Sequence, residues 1–548
     1  MHAVVKGRSN LDVLRELNPH PLLGHLYGGA AWDADITVVK KAAQLTINSD
    51  LQGLGSNLPS PLSKSADEAL PLRLEKKIVA DGQDVIVAQL GKLLRARLVR
   101  REENGAMAVR YGTVNFGEEK ISASQARRSG KRSSQASLPA AGNAEGASQG
   151  RGGIRLSGRL PELSLQGWGD LLGAAGGAGG GLPIAGANLV IDRVSGFGMQ
   201  IDNLNIDAGK RGEGLLVKLS GSTLNGEVDW QPHGDGKLTA RLQKLVWSGD
   251  EGPAISSAEP PSKASMPPGS LPALQVSVEN LQLGNKQIGR LELVGHPDGE
   301  DWLLRRLNIV NPDGSLTGDG VWRNAAAGTQ TQASLLLQIS DAGKILTRSG
   351  YPNTVKGGSG KLAAKLNWDG NPGEFNYATL DGSLRLDTSK GQFLKMEPGI
   401  GKLLSILSLQ ALPKRITLDF TDVFSDGFQF DNINGNAIIE NGVIDSQNFR
   451  IDGSSAKVTM KGKVDLNSET QDLRVLVLPK LGDSVSLLGA FAAGPVAGIG
   501  SLIVNKVLGD PLDKLVSFEY NISGAWSDPQ VAKIGQAVVD RKEIESSQ

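Results

Sequence analysis

The 548-residue chain has no cysteine and only five histidines. The first absence removes a disulfide framework, thiol catalysis and thiolate-bound zinc. It leaves the compartment open, because a chain without cysteine suits an oxidising space without requiring one. Aromatic residues make up 4 % of the chain, which argues against dense globular cores. Charge of one sign is missing as well. With 58 basic and 58 acidic side chains, no overall field draws nucleic acid or an acidic partner.

Catalytic signatures are absent too. Gly360-Lys361 is followed by Leu362, and Val355 stands where a phosphate-binding loop needs its first glycine. There is no H-E-x-x-H pair. His20 and His25 flank Pro21, which spoils the helical spacing a metal pair would use. Carboxylate pairs such as Asp33/Asp35 and Asp419/Asp422 fall on polar strand faces or turns, where a solvated role outweighs acid/base work. No cofactor, no metal and no catalysis are expected. Residues 1–7 lack the basic start and apolar core of a signal peptide. They resemble the end of a strand entering a turn, so the chain is expected to be part of a longer protein with its targeting segment upstream.

Glycine is plentiful: 71 residues, about 13 % against a usual ~7 %. Three stretches are too polar or too small-residue-rich to bury a core: residues 122–153, 170–181 and 248–272. They divide the chain into an expected β-segment at 1–121, a linker, a β-segment at 154–247, a second linker, a β-segment at 273–483, and an apolar helical segment with a final strand at 484–548. Arg127, Arg128, Lys131 and Arg132 cluster in the first linker without interleaved aromatics, as a solvated linker would carry them.

Elsewhere apolar and polar residues alternate, as in Ile416-Thr-Leu418-Asp-Phe420, Phe428-Gln-Phe430-Asp, Ala456-Lys-Val458-Thr-Met460, Leu384-Arg-Leu386-Asp and Val276-Ser-Val278-Glu. Period two means strands with one apolar face. Glu440-Asn441-Gly442, Pro312-Asp313-Gly314, Asp381-Gly382 and Asp452-Gly453 are read as tight turns using positive φ. Helical patterns are confined to 11–17, 340–348 with Ser340 as N-cap, 400–412 and 484–508. The fold expected is mainly β: an elongated, curled antiparallel sheet enclosing an apolar groove, with a few short helices toward the C-terminal end. A loose repeat carries a tryptophan after a glycine-containing strand at Trp32, Trp230, Trp322, Trp368 and Trp526. Repetition of this kind implies stacked units, with each ring packing over its own hairpin.

Residues 485–504 carry no charge, long enough to span a membrane. Gly494 and Pro495 interrupt the run, so spanning, shallow insertion and an apolar plug all stay open. Membrane contact at this end would be made by Leu487, Leu488, Phe491, Val496, Ile499, Leu502 and Ile503.

Several segments resemble a known family in order. They are Asp341-Ala-Gly-Lys-Ile-Leu to Gly350-Tyr-Pro, Lys356-Gly-Gly-Ser-Gly, Trp368-Asp-Gly-Asn-Pro, and Asp381-Gly-Ser-Leu-Arg-Leu to Lys390-Gly-Gln-Phe. Leu407-Ser-Leu-Gln-Ala-Leu-Pro-Lys-Arg, Asp419-Phe-Thr-Asp-Val-Phe-Ser-Asp-Gly-Phe and Glu440-Asn-Gly-Val follow. They are similar to the C-terminal region of YhdP proteins of the AsmA-like superfamily. The resemblance implies a Gram-negative cell-envelope protein, held in the inner membrane by an N-terminal helix that this chain lacks. It would cross the periplasm as a curled sheet and move phospholipid toward the outer membrane without catalysis.

The groove-lining candidates are then Val276, Val278, Leu384, Leu386, Ile416, Leu418, Phe420, Phe428, Phe430, Val458 and Met460, with phospholipid acyl chains as partner. Two alternatives stand beside the lipid path. One is an assembly factor for outer-membrane proteins that pairs through strand edges. The other is a β-solenoid enzyme or adhesin, for which no carboxylate cluster is visible.

Overall fold

The computed structural model describes residues 2–11, 15, 21–39, 42–80, 82–103, 105–117, 152–165, 167–168, 184–196, 199–247, 267–325, 328–373, 375–394, 427–480 and 514–540. The alternating segments are strands. Ala456–Asp465 buries Ala456, Val458 and Met460 but not the residues between them. In Phe428–Glu440 the buried Phe428 and Phe430 flank an exposed Gln429. Successive side chains on a strand point to opposite faces, so alternation in sequence becomes a two-sided sheet.

The chain divides into two compact units, Met1–Glu251 and Gly252–Gln548. In the first, His2–Asn10, Leu26–Val39, Ala42–Ser49, Leu72–Ala80, Gln83–Leu90, Leu94–Glu103 and Ala106–Phe116 form successive antiparallel ladders. Gly153–Ser164 then pairs parallel with Ala106–Phe116, and Ile184–Gly196 pairs parallel with Gly153–Ser164. The antiparallel pattern resumes through Met199–Arg211, Gly214–Ser220, Leu224–Gln231 and Lys237–Trp247.

The sheet is therefore mixed, where alternation alone pointed to antiparallel pairing throughout. Connection length explains the difference. Neighbouring parallel strands need a crossover of about a dozen residues or more. Residues 117–152 and 165–183 supply that length, and these are the stretches whose composition reads as linker. In the second unit, the thirteen strands from Ala273–Leu283 to Gln530–Asp540 pair in chain order through twelve antiparallel ladders.

The helix expected at 340–348 is Ala342–Arg348, and its N-cap is Asp341 rather than Ser340. An Asp341 carboxylate oxygen accepts the Lys344 amide at 3.0 Å. The amides of Ser340 and Asp341 both donate to the Asp313 carbonyl, at 2.8 and 3.0 Å. Ser340 is thus tied to a neighbouring corner and leaves the capping position to the next residue.

Asp313 is itself 4 % exposed and pairs with Arg348. Its segment is the turn expected from sequence, a two-residue connection between the paired Asn311 and Gly314, formed without a positive φ. Of the four turns expected from sequence, Asn441-Gly442 has positive φ at both central residues, 50° and 79°, as a two-residue hairpin requires. Gly382 has φ 155° but lies within a strand, and Gly453 lacks a positive φ. Most of the pattern at 11–17, and the whole of those at 400–412 and 484–508, lie outside the described residues.

Candidate functional site

Following one register position across the first unit gives a row of side chains on a single face. It runs Val5, Ala34, Ile47, Leu74, Ala88, Ala96, Val114, Leu156, Ala187, Ala208, Val217, Val228 and Ala240. All thirteen are apolar. The next position along, on the opposite face, runs Lys6, Asp33, Asn48, Arg73, Gln89, Arg95, Asn115, Ser157, Asn188, Asp207, Lys218, Glu227 and Arg241. All thirteen are polar.

Neighbours in the polar row bond across strands. Asn48 donates to Asp33 at 3.1 Å, Asn188 to Asp207 at 3.4 Å, and Lys218 lies 3.9 Å from Glu227. The apolar row is unlike a sealed core. Leu74, Val114, Leu156, Val217 and Val228 are only half-buried, whereas two packed layers bury such residues fully.

The second unit carries apolar rows over eight strands. Val278, Leu291, Ile309, Leu316, Leu337, Leu362, Leu386 and Gly435 form one row. Val276, Leu293, Leu307, Gly318, Leu335, Ala364, Leu384 and Ala437 form the next on that face. Four of the residues singled out from sequence, Val276, Val278, Leu384 and Leu386, thus share one side. Val278 is buried and the other three are half-buried.

Phe428, Phe430, Val458 and Met460 sit differently, inside a buried cluster with Phe393, Ile433, Ile451, Val475 and Tyr520. Their surroundings are those of a packed core. Ile416, Leu418 and Phe420, and all seven membrane-contact candidates, lie outside the described residues. Among the described residues no helix is long and apolar enough to cross a membrane.

Aromatic rings in these faces lie over glycines. A Cβ on Gly391 would stand 2.3 Å from Cζ of Phe430, one on Gly453 2.2 Å from the Phe428 ring, and one on Gly295 2.2 Å from the Trp302 ring. Gly7, paired with Trp32, meets that indole in the same way at 2.6 Å. The glycine each ring needs is therefore on the facing strand, not the one a few residues before it that the repeat brought out. Trp302 and Trp322 are directly paired, and Trp368 continues their row through Thr331. These indoles are all but buried, and Trp368 donates to Asn371 O in its own turn at 3.2 Å. They fill the sheet, as the packing interpretation of the repeat expects.

One charged cluster interrupts the apolar face of the first unit. Asp84 faces Arg100 across a ladder and takes two hydrogen bonds from it, Nε to Oδ1 at 2.9 Å and Nη2 to Oδ2 at 2.7 Å. Lys76 Nζ is 3.4 Å from the same Oδ2. The Asp84 side chain is 5 % exposed. The Arg100 hydrogen bonds hold its pKa below the ordinary 3.8, against the opposing effect of burial.

A depressed carboxylate contributes stability above its unfolded value, and that contribution is lost as pH falls through the folded value. Asp84→Asn strands two cations and is predicted to cost roughly 3 kcal/mol at neutral pH. Urea unfolding at pH 7 and pH 3 checks this. The gap between wild type and variant should narrow at pH 3, and a gap that stays constant would refute the assignment.

Two depressions among the described residues, about 1120 and 760 Å³, lie in the second unit. Glu292, Asn308, Thr317, Asp319, Lys365 and Arg385 stand around the first. Leu307, Leu335, Ala364, Leu384 and Ala437 of the second apolar row line it as well.

A family model described as YhdP protein matches residues 1–531. A protein named intermembrane phospholipid transporter YhdP, from Escherichia coli (strain K12), is 25 % identical over 528 residues. The match covers 93 % of this chain and 39 % of that protein. No solved structure matches.

Proposed function

The chain belongs to the YhdP family, and we propose that it forms one stretch of a non-enzymatic path for phospholipid acyl chains between the two membranes of a cell envelope. The observation that carries this reading is the thirteen-strand row of apolar side chains backed by thirteen polar ones. A surface of that kind holds hydrocarbon on one side and water on the other. Bringing acyl chains into water costs about 0.8 kcal/mol per CH₂. A continuous apolar lining removes that barrier with no bond made or broken, so neither a cofactor nor catalytic residues are needed.

The half-buried rows would be the lining. The buried Phe428, Phe430, Val458 and Met460 would form a rigid end to it. In the same reading the path lies in the periplasm and runs toward the outer membrane. Residues 485–504 would meet the membrane.

Native mass spectrometry of the purified 548-residue chain tests the reading. Copurifying phospholipid of defined mass is expected. A lipid-free protein from lipid-replete cells would favour an assembly role through strand edges.

A further inference from the structure

The face that carries the apolar row of the first unit holds more positive charge than its ion pair needs. Asp84 is satisfied by Arg100 alone through two hydrogen bonds, yet Lys76 approaches the same oxygen. An arginine has five N–H donors, and Arg100 uses two. The pair's two cations stand within about 6 Å of each other, since both lie close to one carboxylate oxygen. That spacing lets one tetrahedral anion touch both.

The surroundings are apolar. Lys76 lies between Leu45 and Ile86 on its row, and two residues along its strand is Leu74 of the continuous apolar row. Lys76 is 44 % and Arg100 23 % exposed, so the unused donors remain reachable. Glu102, the next acidic residue on that face, is exposed and makes no ion pair among the described residues.

We propose that Lys76, Asp84 and Arg100 form a station for the phosphate of a phospholipid whose acyl chains lie on the neighbouring apolar row. Arg100 and Lys76 contact the phosphate, and Asp84 is a positioning residue that fixes the guanidinium plane. A purely structural ion pair requires one cation, and an apolar lining requires none. The excess charge beside the hydrocarbon surface matches an amphiphile with an anionic group at its head. The proposal rests on the lipid-path reading and adds to it where along the sheet a headgroup stops.

The test uses the full chain with three probes: phosphatidylglycerol, a diacylglycerol with the same acyl chains, and inorganic phosphate. Capture is measured by native mass spectrometry, with folding checked by circular dichroism. Wild type is expected to prefer phosphatidylglycerol over diacylglycerol by about tenfold, the range of charge-assisted hydrogen bonds. Arg100→Gln and Lys76→Gln should abolish that preference without changing diacylglycerol capture. Lys76→Gln keeps the test decisive if Arg100→Gln fails to fold, because Lys76 is nearly half-exposed.

Unchanged preference in folded Lys76→Gln would overturn the station while leaving the lipid path intact. Displacement of phosphatidylglycerol by an equal concentration of inorganic phosphate would overturn it in favour of a free-anion site. Capture of neither lipid by wild type would overturn the path and the station together.

Discussion

Phospholipid recovered with the purified chain is expected to fall at least tenfold when Leu156 is replaced by aspartate, and to remain at the wild-type level in Ser157→Asp. The two positions are consecutive on the central parallel strand, Gly153–Ser164. Leu156 belongs to the apolar row and Ser157 to the polar one. A carboxylate at 156 would have to lose water whenever an acyl chain covered it, and an unpaired charge against hydrocarbon is among the costliest arrangements available. At 157 it lies on the polar face, between Asn115, to which the Ser157 hydroxyl donates, and Asn188 across the ladders. Arg155 and Arg159 share its face, so the stability change should stay within about 0.5 kcal/mol. Circular dichroism and protease resistance establish folding before lipid is measured. Equal lipid content in both folded variants would remove the groove from the account.

The second large effect is on stability. Phe430→Ala should destabilise the second unit by about 3–5 kcal/mol, as truncation of a buried ring does. Phe430 is 5 % exposed, its ring lies 5.1 Å from that of Phe393, and its tip covers Gly391. Gly391→Ala alone should cost roughly 1–3 kcal/mol by overpacking against that ring. Gly391 lacks a positive φ, so a methyl there meets only a steric objection. In the double variant that objection is gone, and the cost of Gly391→Ala should nearly vanish. Urea unfolding of the four proteins measures the coupling. Strict additivity would mean that the ring and the glycine do not interact as their geometry requires.

Period-two alternation made the strands readable because one buried face per strand is written directly into the residue order. It also put Val276 with Val278, and Leu384 with Leu386, on one side of their own strands. What alternation lacks is the pairing between strands. The thirteen-residue rows exist only once registers such as Ala96 opposite Val114, or Leu156 opposite Ala187, are known, and no local pattern fixes these.

The two parallel ladders were hidden for a related reason. Residues 122–153 and 170–181 read as linkers from composition, but the length that makes a parallel crossover possible says nothing about which edge the next strand joins. The Lys76, Asp84 and Arg100 cluster was equally out of reach. Each residue stands in an ordinary mixed strand, and only the antiparallel ladders of Leu72–Ala80, Gln83–Leu90 and Leu94–Glu103 bring them together. The cross-strand glycines under Phe428, Phe430 and Trp302 follow the same logic. A glycine-rich composition was visible, but the ring each glycine serves belongs to another strand. Phe428 and Phe430 were legible as apolar-face residues, yet whether that face is open or packed depends on what lies above it.

The central claim is that acyl chains travel on the face that carries the apolar row. Photocrosslinking tests it most directly, with a photoreactive amino acid placed at Val217 or at its neighbour Lys218, in cells that make this protein. Val217 lies in the apolar row and Lys218 in the polar one, so the two probes differ only in the side of the sheet they sample. The account predicts phospholipid adducts at 217 and none above background at 218. Adducts of equal yield at both positions, or adducts at 218 alone, would contradict it.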